Sequence, residues 1–134
     1  MEEAQNTSVV KDAYAAFGRG DITTLLGYMA DDVQWQPVIG TAKQVPFSGE
    51  RTGKVSVAEF FRQVAESEDF EQFEPREFVA QGDKVVAIGH YRAKTRATSK
   101  IFDSPFAMVF TFRNGKVAAF REFTDSAAVN AAFA

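Results

Sequence analysis

The chain has 134 residues, 46% hydrophobic and 25% charged, a balance that predicts one globular domain spanning 1–134 and excludes a disordered segment. A formal net charge of −3 and the lack of any basic stripe exclude the phosphate-neutralising surface of a nucleic-acid binder. Zero Cys excludes disulfides, thiol catalysis and thiolate metal sites, and no run reaches the roughly 18 apolar residues of a membrane span.

The polar start Met1 to Ser8 lacks the basic and apolar tracts of a signal peptide, so the expected compartment is the cytoplasm. Val9, Val10, Ala13, Tyr14 and Phe17 then recur on one helical face, with Gly18 and Gly20 as a stop. Asp21 is placed to cap a short second helix carrying Ile22, Leu25, Leu26 and Met29. After Asp31-Asp32 the period changes to two, and Val33-Gln34-Trp35-Gln36 predicts a strand that sends Val33 and Trp35 to one side. Pro37 and Gly40 end it, and Thr41 to Gly53 is expected to be a loop. Ser56-Val57-Ala58-Glu59 matches a capping box and predicts a third helix to about Ser67, with Phe60, Phe61 and Val64 inward.

Strands are expected over Phe73–Ala80, Lys84–Arg92, Phe106–Phe112 and Val117–Thr124, with Gln81-Gly82-Asp83 and Asn114-Gly115 as turns. Helices followed by meandering strands predict an α+β fold, not alternating βα units around a parallel sheet. Fourteen Phe supply material for a core and for a cavity wall, since each buries roughly 150–250 Å².

Alternation divides Lys84–Arg92 into Val86, Ile88, His90 and Arg92 on one face and Val85, Ala87, Gly89 and Tyr91 on the other. The first set grades from apolar to charged, as a cavity wall with an open mouth would. Phe106, Met108, Phe110 and Phe112 share a face, as do Phe120, Glu122 and Thr124. His90 is the one histidine, the residue type able to change charge near neutral pH, and so the natural proton-transfer candidate, with Glu122 as its partner. One His and scattered carboxylates give no metal-ligand spacing, and neither a phosphate loop nor a dinucleotide or nucleophile-elbow motif occurs.

The first helix ending in Gly18-Arg19-Gly20-Asp21, the run Met29-Ala30-Asp31-Asp32-Val33-Gln34-Trp35, the helix after Gly53 and the hairpin Phe110 to Val117 together cover most of Val9 to Asp125. In these features the chain resembles the SnoaL-like, or ketosteroid-isomerase-like, branch of the nuclear-transport-factor-two-like superfamily. The resemblance implies a cone-shaped, curved antiparallel sheet packed against N-terminal helices, a cystatin-like roll enclosing a pocket, and a homodimer formed through the outer sheet face. It does not carry the isomerases' acids. Pro37 stands at the equivalent of their catalytic Asp, Met108 falls where the second acid would be, and Tyr14 is displaced by about one helical position. Pocket-facing family positions fall on His90, Arg92 and Glu122, with Trp35, Phe120 and Thr124 nearby.

Two functions therefore stay open. In one, His90 and Glu122 are a catalytic proton-transfer pair in an isomerase, cyclase or dehydratase that needs no cofactor and no metal. Tyr14, Trp35, Arg92, Phe106, Met108, Phe120 and Thr124 then contact a small hydrophobic or amphipathic substrate. In the other, the same cavity binds such a molecule without transforming it, or the domain serves assembly.

Overall fold

The computed structural model describes residues 2–134; Met1, the first residue of the polar start, lies outside the described residues. The first helix, α1, runs Glu2–Gly18 and the second, α2, runs Ile22–Gly27. Asp21 caps α2 as expected, accepting from the Thr24 backbone N–H at 3.2 Å and the Thr24 hydroxyl at 2.7 Å. Strand β1 spans Met29–Gln36, β2 is the two-residue Arg51–Thr52, and α3 spans Lys54–Ser67. Gly53, at φ 87°, sits at the N-cap of α3 with no side-chain cap, so the helix begins before the Ser56–Glu59 box.

The remaining strands are β3 (Glu68–Gln81), β4 (Lys84–Thr95), β5 (Ile101–Arg113) and β6 (Lys116–Thr124). Each is longer at one or both ends than alternation alone marked out, β6 by a single residue. Asn114 and Gly115 take φ 53° and 77°, the pair of positive values that a two-residue hairpin turn requires. A last helix, α4 (Ser126–Phe133), is capped by Asp125 and was not signalled by the sequence pattern. Its Phe133 packs against Phe47 and Phe102, closing one end of the core.

The six strands form one sheet in the order β2-β1-β6-β5-β4-β3. Two features of the expected architecture are corrected by this sheet. It is open, neither closed nor strongly curled, so it is not a cone-shaped roll that encloses a pocket by itself. It is also mixed: β1 runs parallel to β6, pairing Met29 with Val117 and Trp35 with Phe120, while every other pairing is antiparallel. Side-chain alternation says which residues share a face, but carries neither sheet curvature nor the partner of a strand distant in sequence. Enclosure comes instead from helices laid across one face of the open sheet.

That face is fixed by register. Ala87 pairs with Met108 and Met108 with Glu122; Gly89 pairs with Phe106 and Phe106 with Thr124. Buried Val85, Ala87, Tyr91, Ala93, Phe106, Met108, Phe110, Phe120 and Glu122 therefore point to the helices. Gly89 is required here: a Cβ would fall 2.1 Å from the Glu74 carbonyl oxygen and 2.6 Å from the Phe106 ring. Burying a large apolar side chain contributes about 1.5–3 kcal/mol. The rows of Phe and Val between sheet and helices are thus the main source of stability.

Candidate functional site: an aromatic chamber with two buried carboxyls

Between the inner sheet face and helices α1, α2 and α3 lies a cavity of about 80 Å³. Its wall is mostly aromatic. Trp35 stacks on Phe120 with ring centroids 3.9 Å apart, and Phe60 and Phe61 meet the indole edge-on or tilted. On the far side Tyr14 and Phe17 from α1 meet Phe73 of β3 at 5.9 and 5.2 Å. Such contacts fix ring positions beyond what area burial provides.

Five titratable groups, Tyr14, Tyr28, Glu68, Tyr91 and Glu122, interrupt this apolar wall. Glu122 of β6 is buried, and desolvation raises its carboxyl to about 7, with a hydrogen bond from the Val38 backbone pulling the other way. Glu68, the first residue of β3, is also buried and is pushed up to about 8, first by desolvation and then by the charges of Glu122 and Asp69. Burial raises the Tyr14 and Tyr91 hydroxyls well above their ordinary value, and Glu122 adds to the shift at both. The charge of Glu122 is thus felt around the whole chamber.

Several of these polar atoms lack strong partners. Glu68 Oε2 and Trp35 Nε1 are buried with no hydrogen bond, and the Tyr14 hydroxyl donates only to the Met108 sulfur, a weak acceptor, at 2.9 Å. An unsatisfied buried polar atom costs roughly 1–3 kcal/mol, which a bound molecule offering complementary groups would recover. Val38, buried beside Glu122, has φ 45°, a left-handed conformation that is strained for a β-branched residue and costs about 1–3 kcal/mol. The next residue donates its backbone N–H to the Glu122 carbonyl at 2.9 Å, pinning this strained loop to the strand that carries the acid.

The sequence-derived residues divide between the two sides of the sheet. Tyr14, Trp35, Met108, Phe120 and Glu122 line the chamber. Phe106 and Thr124 share the inner face but lie beside the chamber; Phe106 stacks on Phe73 at 5.3 Å and Thr124 Oγ1 is buried without a partner. His90 and Arg92 stand on the opposite face. Their cross-strand partners are Pro105 and Asp103, out of phase with Phe106 and Met108. Nε2 of His90 is 3.4 Å from Asp103, and Arg92 pairs with Asp103 at 2.8 Å and Glu71 at 2.9 Å. His90 and Glu122 are therefore not brought together, because the apolar-to-charged set of β4 faces outward and its small residues face the core. Ile88, expected beneath the cavity, is 38% exposed for the same reason, and Tyr91, expected on the outer face, is 3% exposed inside.

Glu68, Tyr91, Tyr28, Val38 and Phe47 are among the chamber residues that sequence reasoning missed. Glu68 is two positions before Phe70, so its inward direction follows once the strand is extended back to it. Among the described residues no group of three His, Asp or Glu is placed to hold a metal ion, and no helix is long and apolar enough to cross a membrane.

The SnoaL-like domain family model matches residues 10–120. An NTF2-like protein of Burkholderia xenovorans LB400 is 31% identical over 98% of both chains, with a TM-score of 0.88. An NTF2-like protein of Burkholderia thailandensis E264 is 27% identical over 96% of this chain and 97% of that one, with a TM-score of 0.85. TerC, crystallised with polyporic acid, is 25% identical over 96% and 98%, with a TM-score of 0.78. No curated protein matches. From the aromatic chamber, the mixed open sheet and these similarities together, the chain belongs to the SnoaL-like family of the NTF2-like superfamily.

Proposed function

We propose that the chamber binds a small hydrophobic molecule bearing an oxygen and moves a proton on it, with Glu122 as base and Glu68 as acid. The carrying observation is that two buried carboxyls, one with an unpartnered oxygen, line a single apolar chamber. Their environments set them apart: the Val38 backbone hydrogen bond favours the ionised form of Glu122, whereas Oε2 of Glu68 has no partner, so Glu122 is the readier to ionise and Glu68 the readier to keep its proton. A base against an activated C–H with a donor near the developing oxygen charge suits isomerisation, dehydration or cyclisation. General acid–base catalysis of this kind contributes typically about 10²–10⁴-fold. Trp35 Nε1, Tyr14 and Tyr91 are the further donors available to a substrate oxygen. Solved structures of the same fold that carry isomerase and cyclase names support this class, and the polyporic acid on TerC supports a small-molecule occupant. His90 and Arg92 have no part in this scheme.

A binding role without turnover is the second reading, favoured by the chamber's size as it stands, well under the roughly 300–1,000 Å³ of most ligand sites. The two separate on one measurement. 2-Indanone in deuterated buffer exchanges its activated protons, and NMR follows the loss of signal. Exchange accelerated by the wild-type protein and lost in E122Q supports proton transfer; exchange no faster than in buffer, or equal in E122Q, rejects it.

For assembly, the outer sheet face supports a homodimer. Ile88, Ala107 and Phe123 form one cross-strand row and Val79, Val86 and Val109 another, with Phe123 40% and Val79 57% exposed. Sedimentation at micromolar concentration is expected to give a dimer that F123E converts to monomer; a wild-type monomer would reject it.

A further inference from the structure

The chamber's electrostatics are one-sided. Glu68 and Glu122 line it, and no Lys, Arg or His does. Arg51 lies over the Phe60 ring at 5.5 Å and donates to the Ser48 carbonyl without entering the lining, while Arg96 pairs with Asp69 at 2.8 Å, Arg92 with Glu71 and Asp103, and Lys54 with Asp31 at 3.4 Å. These are exposed pairs in which water already screens the charge. Buried carboxylates in folded proteins are ordinarily paired, and here Arg92, Arg96 and Lys54 serve exposed carboxylates instead. The same wall carries Trp35, Phe60, Phe61, Phe70 and Phe73, and an aromatic ring attracts positive charge wherever it presents its negative π surface.

We propose that the chamber's ligand carries a positive charge: it is a small hydrophobic amine or quaternary ammonium whose cationic centre sits against Glu68 and Glu122 while its apolar body lies on the aromatic faces. The assignment rests on the chamber being a small-molecule site and adds the sign of the ligand's charge. An anion would meet two acids and no counter-charge. A neutral molecule suits the acids only while they keep their protons, whereas a cation is the class of ligand that stabilises both in the ionised form. A cation favours ionisation of both acids, so its binding releases protons and tightens as pH rises.

The titratable groups facing the site are Tyr14 from α1, Tyr28 between α2 and β1, Glu68 from β3, Tyr91 from β4 and Glu122 from β6. Asp69 acts on Glu68 from outside, where it pairs with Arg96. Burial shifts the Tyr14 and Tyr91 hydroxyls upward, so these two stay protonated through the neutral range. The pH dependence of cation binding therefore belongs to Glu68 and Glu122, which release their protons near about 8 and about 7.

The test uses the whole chain with phenyltrimethylammonium, whose charge does not titrate, and tert-butylbenzene, its neutral isostere. Trp35, the one tryptophan, lines the chamber and reports occupancy by its fluorescence. The cation is expected to bind about tenfold or more tightly at pH about 8.5 than at about 6, with the neutral isostere indifferent to pH. E122Q and E68Q are each expected to weaken cation binding about tenfold and to flatten its pH dependence; melting curves establish that they fold. The wild-type pH profile is a second reading that needs no variant. The proposal is overturned if tert-butylbenzene binds as tightly as the cation at the higher pH, if the cation does not bind at millimolar concentration, or if its affinity ignores pH. A chamber that exchanges 2-indanone protons yet ignores the cation would fail this assignment alone. One that binds the cation and exchanges nothing would fail only the proton-transfer reading.

Discussion

Tyr14 of α1 donates its hydroxyl to the sulfur of Met108 on β5 at 2.9 Å, across 94 residues of sequence. Tyr14 and Met108 are thus partners, although a thioether accepts weakly and cannot share a proton. The Tyr14 hydroxyl is in consequence easily recruited by a stronger acceptor on a ligand. Y14F is expected to change stability by less than about 1 kcal/mol. It should weaken binding of an oxygen-bearing ligand such as 2-indanone several-fold while leaving a hydrocarbon of similar size unaffected. Equal effects on both, measured through Trp35 fluorescence, would contradict this role.

Stability should fall as pH rises through neutrality. Glu68 and Glu122 have folded values near about 8 and about 7 against an ordinary 4.5, so above pH 4.5 the unfolded chain sheds protons that the folded chain retains. Stability is then lost progressively up to about pH 8 and levels off beyond it. Asp21, Asp32, Glu59, Asp69 and Glu74 are held below their ordinary values by hydrogen bonds and ion pairs, and act oppositely, losing stability only as pH falls into the acid range. A melting temperature highest near about pH 5 is expected, with E68Q/E122Q flattening the decline between about pH 5 and 8. A melting temperature constant or rising across that window would show that the acids are not buried as described.

His90 sits on the far side of the sheet beside Asp103, so H90Q is expected to leave chamber binding and 2-indanone exchange within about twofold of wild type. Its cost in stability should be below about 1 kcal/mol, as for other polar contacts on a solvent-accessible sheet face. A tenfold loss of exchange in H90Q would place a proton-transfer role back on the outer face.

G89A should be among the most damaging small substitutions. The added methyl group meets the Glu74 carbonyl at 2.1 Å and Phe106 at 2.6 Å, so β3 must move away from β4. A loss of about 3 kcal/mol or more in chemical denaturation is expected, at or beyond the upper end for overpacking because the obstacle is backbone. G18A, where nothing lies within 4 Å, is the contrasting control. Similar stabilities for the two variants would contradict the close approach at Gly89.

Local physics written within a few residues was legible in the sequence: the Asp21 cap, the Asn114-Gly115 turn and the shared faces of Phe106, Met108 and Phe110 and of Phe120 and Glu122 depend only on neighbours. So did the family, because its motifs are local too. Alternation divided β4 correctly into two sets but could not say which faces the helices; Gly89 and Ala87 look like weak core residues until the Phe106 ring above them is placed. That choice moved His90 and Arg92 out of the site and Tyr91 into it. Glu68 entered because β3 begins five residues before its first marked residue, extended by pairing with β4 and not by its own polar sequence. The parallel β1–β6 pairing, the open sheet and the burial that raises two distant carboxyls together are properties of long-range packing. Desolvation and charge coupling depend on what surrounds a side chain in space, which only the tertiary structure decided.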